Sequence, residues 1–176
     1  MQNKGLIHIY CGNGKGKTTA ALGLSLRAAA FGFPVLLYQF MKDNTSSERL
    51  LLKELPNFTV IDGLNREKFS FQMSAEEKED RKDYYEEQFQ KLLDIVSQQN
   101  IKVLFLDEII YTIRAGLFSE NLLIDFLKNK PEDLEVILTG QEPSRELIAM
   151  ADYVSEIKKI KHPFDKGIAA RQGIEK

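Results

Sequence analysis

Six short apolar runs recur along this chain, and most are separated by stretches with the spacing of an amphipathic helix. The runs are Gly5 to Tyr10, Val35 to Phe40, Phe58 to Ile61, Lys102 to Asp107, Glu135 to Thr139 and, more weakly, Tyr153 to Ile157. The helical candidates are Lys17 to Phe31, Ser46 to Leu55, Ser74 to Gln98, Ser119 to Lys128 and Ser144 to Met150. The longest opens with Ser74 and Glu77 at capping-box spacing and sets Tyr85, Phe89, Leu92 and Val96 on one face. Strands that are apolar on both faces and alternate with helices pair in parallel under helical cover. The expected fold is therefore α/β, with a mostly parallel central sheet of five to six strands and helices on both faces. A chain of 176 residues with 43% hydrophobic content fills one core, so a single domain over residues 1–176 is expected. Ligands of such sheets bind at the carboxyl ends of the strands. The polar stretches Asn44 to Ser47 and Asp62 to Met73 fall beside that edge as candidate loops or lids.

Composition narrows the partners. The 24 basic and 26 acidic residues are interspersed and leave a net charge of -2, which argues against a nucleic-acid partner. No run approaches the roughly 18 apolar residues of a membrane span, and MQNKGLIHIY lacks the apolar segment of a signal peptide. One cysteine excludes an internal disulfide framework. A cytoplasmic protein is expected.

Between the first strand and the first helix lies YCGNGKGKTT, where side chains are nearly absent except for cations and hydroxyls. A glycine-rich turn at that junction lets backbone N–H groups and a helix N-terminus surround anionic oxygens. Gly16, Lys17 and Thr18 complete the GKT end of a Walker A loop, the lysine for phosphate oxygens and the threonine hydroxyl for a metal. The first glycine of that pattern is replaced by Cys11, which reads as a small packing residue at a strand end rather than a reactive thiol. Gly12 and Gly14 supply freedom inside the loop. Residues 103 to 108, VLFLDE, match the strand that delivers carboxylates to such a metal, making Asp107 and Glu108 candidate metal-side residues.

Two common chemistries fit less well. Partitioning ATPases carry an additional lysine five residues before the GKT lysine, where this chain has Gly12. Small-molecule kinases use arginine-rich lids, whereas Asp62 to Met73 holds one arginine, Arg66, and two phenylalanines, Phe69 and Phe71. An aromatic lid suits a flat, apolar partner.

The motifs GNGKGKTTAALGLSLRAAAFG, YQF, FSF, VLFLDEIIY, EVILTG, ADYVSEI and KHPFDKGIAARQGIE, in this order, resemble the P-loop ATP:corrinoid adenosyltransferases almost end to end. The resemblance implies a P-loop nucleoside-triphosphate-binding architecture. It also implies transfer of the 5′-deoxyadenosyl group of ATP to Co(I) of cobalamin or cobyrinic acid a,c-diamide, with release of triphosphate. Gly12, Asn13, Gly14, Lys15, Gly16, Lys17, Thr18 and Thr19 would then bind the nucleotide, with ATP reversed relative to ordinary P-loop enzymes. Lys17, Thr18 and Glu108 would be the catalytic set. Thr18 and Glu108 would hold Mg²⁺ or Mn²⁺, with Asp107 either a further ligand or the residue behind them. Phe69 and Phe71 would crowd the lower face of the corrinoid, and a reduced flavoprotein would supply electrons to a homodimer. By composition alone His162 and Asp165 belong to a charged turn, and His8 is a core or edge residue of the first strand.

The chain departs from that family at three places. Phe71 stands where tryptophan is usual, and Gln141 stands where arginine is usual, so that one phosphate contact is either missing or supplied by Arg27 or Lys15. Only four residues precede the first apolar run, so a covering amino-terminal arm is expected to be largely absent. The alternatives are a P-loop phosphotransferase or ATPase with another acceptor, which would release ADP, and a non-catalytic nucleotide switch.

Overall fold

The computed structural model describes residues 4–66, 68 and 70–175. Its sheet has six strands: β1 (Ile7–Cys11), β2 (Val35–Gln39), β3 (Phe58–Ile61), β4 (Val103–Asp107), β5 (Glu135–Thr139) and β6 (Tyr153–Glu156). They lie in the order β3-β2-β4-β5-β1-β6, and every pairing is parallel. The six helices are α1 (Lys17–Phe31), α2 (Glu48–Leu52), α3 (Ala75–Gln98), α4 (Ile109–Arg114), α5 (Glu120–Asn129) and α6 (Arg145–Met150). Two single 3₁₀ turns cover Ser70–Gln72 and Pro163–Lys166.

The apolar runs form this sheet because alternate residues of its central strands serve different cores. Leu36, Tyr38, Leu104, Leu106, Val136 and Leu138 pack with Tyr85, Phe89, Leu92 and Val96 of α3 and with Leu123, Ile124 and Leu127 of α5. Their neighbours Val35, Leu37, Val103, Phe105 and Ile137 face the other way, against Ala21 and Ala29 of α1 and Leu52 of α2. The expected capping box is present, with the Ser74 hydroxyl accepting from the Glu77 N–H and the Glu77 carboxylate accepting from the Ser74 N–H.

Several boundaries differ from the sequence reading. The first strand begins at Ile7 rather than Gly5, whose N–H donates to Glu132 instead of entering a ladder. The second helix is only Glu48–Leu52. Helix α4 was not expected, because it starts directly after β4 and IIYTIR shows no period over six residues. Strand β6 is exposed at every position, so its weak apolar signal reflects an edge seat beside β1 rather than a buried strand.

Register decides what meets at the carboxyl edge. Gln39 pairs with Asp107, and Tyr10 with Thr139. The ends of β2, β4, β5 and β1 therefore come level at the start of α1.

Candidate functional site

Gly16 caps α1 with φ 118°, a left-handed conformation open to glycine at little cost, and no side chain caps the helix. The helical ladder begins where the Ala20 N–H donates to the Gly16 carbonyl at 2.8 Å, and the first turn carries no acidic residue. An uncapped helix start with a positive dipole end receives an anion. Lys17 stands at its mouth, with Nζ donating to the Gly14 carbonyl at 3.0 Å.

Asp107, at the end of β4, is fully buried and has every oxygen engaged. Its Oδ1 accepts from the hydroxyls of Thr18 (2.9 Å) and Thr139 (2.7 Å), and its Oδ2 accepts from Gln39 Nε2 (3.1 Å) and Lys42 Nζ (2.6 Å). Burial opposes its ionisation, but the Lys42 charge and the donated hydrogen bonds outweigh burial and hold the carboxyl below its ordinary range. Burial likewise opposes the Lys42 ammonium, yet the adjacent Asp107 more than offsets it and raises the lysine.

Glu108 differs from its neighbour. It begins α4 at φ 61°, a left-handed backbone that costs a non-glycine residue on the order of 1–3 kcal/mol. The Thr139 hydroxyl accepts its N–H at 2.7 Å, and its carbonyl accepts from the Thr112 hydroxyl at 2.8 Å. These contacts hold the strained backbone while the Glu108 carboxylate has no hydrogen-bond partner among the described residues. Burial and the charge of Asp107 raise its pKa, against the opposing pull of Lys42 and Lys17.

Sequence reasoning missed Gln39, Lys42, Thr139 and Arg49. Gln39 is the one amide in a strand buried throughout, and a polar residue inside an apolar run is the signal that marks it. Arg49, 2% exposed, donates from Nη1 to Gln39 Oε1 (2.8 Å) and from Nη2 to Asp62 Oδ1 (2.7 Å). The Asp107 network thus extends to the root of the Asp62–Met73 segment.

Further along that segment, Phe71 is 76% exposed, and Phe69 lies outside the described residues. A cavity of about 290 Å³ opens between the segment and α3, lined by Leu64, Met73 and Tyr84 and by charged Lys68, Glu77 and Arg81. It does not reach the Asp107 network.

The chain beyond β6 crosses the glycine loop. The Gly14 N–H donates to the Ile157 carbonyl at 2.7 Å, the Ile157 N–H donates to Cys11 at 2.8 Å, and Asn13 Oδ1 accepts from the Lys159 N–H at 2.8 Å. A Cβ on Gly14 would stand 2.8 Å from the Ile157 carbonyl oxygen. Two loop groups assigned by sequence to the nucleotide, the Gly14 N–H and the Asn13 side chain, are thus engaged by the tail. Lys15 reaches Glu175 at 3.8 Å. Arg27 stands ten residues past Lys17, about 15 Å along the helix from the loop. His162 Nδ1 accepts from the Phe164 N–H, and Asp165 accepts from Lys159 at 2.9 Å, so both order the tail itself. Cys11 is buried, and burial with Glu156 raises its thiol despite Lys17, in line with a packing role. His8 stacks on Tyr153 and meets Glu135 at 3.0 Å.

Among the described residues no three acidic, histidine or cysteine side chains gather as a metal cage. No helix there is long and apolar enough to cross a membrane. A hydroxyl on Thr18 and a free carboxylate on Glu108 fit a hard cation whose other ligands are phosphate oxygens and waters.

The family model described as ATP:corrinoid adenosyltransferase BtuR/CobO/CobP matches residues 3–175. A corrinoid adenosyltransferase of Sinorhizobium sp is 33% identical over 175 residues, covering 98% of this chain and 80% of the relative. One from Escherichia coli K12 is 30% identical over 176 residues, covering 99% and 87%. Among solved structures, a KaiC-like protein of Pyrococcus horikoshii OT3 aligns with TM-score 0.54 at 18% identity, over 88% of this chain and 73% of that one. That likeness is one of fold.

Proposed function

The chain belongs to the ATP:corrinoid adenosyltransferase family, and from that premise we propose how its own residues divide the work. The enzyme transfers the 5′-deoxyadenosyl group of ATP to Co(I) of a corrinoid. Cobalt supplies the electron pair for the new Co–C bond, the C5′–O bond breaks, and triphosphate departs with the bonding electrons. No water needs activation. The protein's task is to hold a growing negative charge on one bulky anion.

The observation that carries the assignment is the uncapped α1 amide end with Lys17 in front of it. These groups receive the polyphosphate. Thr18 and Glu108 are the proposed Mg²⁺ or Mn²⁺ ligands, and Asp107 orients the Thr18 hydroxyl from behind. The bound metal would supply further charge neutralisation to the departing triphosphate. The segment carrying Phe69 and Phe71 would cover the corrinoid and expel its lower ligand. One domain over residues 1–176, a cytoplasmic homodimer and a reduced flavoprotein donor complete the reading. The test is an anaerobic assay with ATP, Mg²⁺ and chemically reduced cobalamin. Loss of Co(I) absorption that requires the protein is the expected result, and persistence of Co(I) with ATP bound would overturn it.

A further inference from the structure

Lys42 approaches Asp107 from the end of β2, where Met41 turns left-handed at φ 55° and donates its N–H to the Tyr85 hydroxyl at 3.0 Å. The turn aims the lysine stem across the end of β4. Of the four donors on Asp107, Thr18, Thr139 and Gln39 are neutral, and Lys42 is the charged one. It is also the removable one. If its ammonium leaves, Oδ1 keeps two hydroxyl donors and Oδ2 keeps the Gln39 amide. The Lys42 side chain is 26% exposed on a flexible stem, whereas Asp107 is wholly buried.

A divalent cation between Thr18 and Glu108 would share this small space with that ammonium. Like charges a few ångströms apart repel strongly where water is partly excluded. Resting on the metal assignment above, we propose that the Lys42 ammonium on Asp107 and a divalent cation held by Thr18 and Glu108 exclude one another, so that metal entry releases Lys42 toward the polyphosphate. Lys42 thereby becomes a further phosphate-facing cation beside Lys17. It also keeps the carboxylate pair neutralised before metal arrives.

Mn²⁺ binding without nucleotide, followed by electron paramagnetic resonance of the free ion, tests the competition apart from any turnover. Lys42→Met should bind Mn²⁺ at least about tenfold more tightly than wild type, while Lys42→Arg stays within about threefold. With inorganic tripolyphosphate present, Lys42→Met should instead bind the anion about tenfold more weakly. Equal or weaker Mn²⁺ affinity in Lys42→Met would overturn the proposal while leaving the metal assignment standing. Failure of every form to bind Mn²⁺, with or without tripolyphosphate, would remove both. Should Lys42→Met not fold, the unmutated protein carrying ¹³Cε-lysine serves: Mg²⁺ should shift the Lys42 resonance, and an unmoved resonance contradicts the proposal.

Discussion

Around Asp107, partners from β2, β5 and α1 converge on one carboxylate, and Arg49 ties that network on to Asp62. Nine residues on from Asp62 the environment changes. Phe71 stands 76% exposed on a single 3₁₀ turn, and the tail past β6 presents Ile160 and Phe164 at 93% and 72% exposure. The anion end of the cleft is organised by the protein's own contacts, as electrostatic stabilisation of a leaving group requires. The aromatic end leaves apolar surface for a partner to cover. If this contrast is real, substituting Asp107 at the centre of the network should damage both stability and activity, and substituting exposed Phe71 should damage activity alone.

The largest effect is expected at Asp107. Asp107→Ala removes the acceptor of three neutral donors and strands the Lys42 charge, a loss on the order of 3–5 kcal/mol in urea unfolding, with activity abolished. Stability within about 1 kcal/mol of wild type would show that the network does not hold the edge together. Lys17→Ala comes next. Losing its contact with the departing anion should lower kcat/KM by about 2–4 kcal/mol of transition-state stabilisation, with little change in unfolding. Activity within about threefold of wild type would remove Lys17 from the mechanism.

Gly14→Ala probes the seam between the loop and the tail. Its Cβ would press on the Ile157 carbonyl at 2.8 Å and the Lys158 carbonyl carbon at 2.8 Å, so about 1–3 kcal/mol of overpacking is expected. An unchanged melting curve would mean that the tail yields freely. Phe71→Ala should alter unfolding by no more than about 0.5 kcal/mol. It should slow adenosylation from Co(II) with a biological reductant far more than adenosylation of pre-reduced Co(I). Equal losses in both assays would reduce Phe71 to a packing residue.

How much of this was legible beforehand follows from how far apart the residues lie in the chain. GKGKTT and VLFLDE are local, since the spacing of each motif is set within one strand, turn or helix. They offered Lys17, Thr18, Asp107 and Glu108 as candidates. The capping box of α3 was legible for the same reason. Gln39, Lys42 and Thr139 belong to the site only because β2 and β5 flank β4 in register, and strand order is not written in any one strand. The tail's hold on Gly14 and Asn13 joins residues some 140 positions apart and left no local trace. KHPFDKG was legible from composition as a turn and otherwise only through the family resemblance, and among the described contacts it is a turn.

The smallest effect concerns pH. Burial and Asp107 raise the Glu108 pKa, so the folded protein holds that proton more tightly than the unfolded chain does. Stability from that proton is present below the ordinary value of 4.5 and is lost as pH rises through the raised folded value. Glu108→Gln cannot lose it. Metal-free urea midpoints of the variant should therefore gain on wild type as pH climbs from 4.5 toward neutrality, and parallel curves would contradict the shift.

In the proposed reaction the loop holds a leaving group rather than a phosphoryl donor. ATP labelled in turn at the α and the γ phosphate, incubated anaerobically with reduced corrinoid, separates the two. Attack on C5′ sends all three phosphates out together, so either label should appear in inorganic triphosphate in step with adenosylcorrinoid. Label from the γ position recovered as orthophosphate beside ADP, at a rate indifferent to corrinoid, would contradict the account and point to an ATPase.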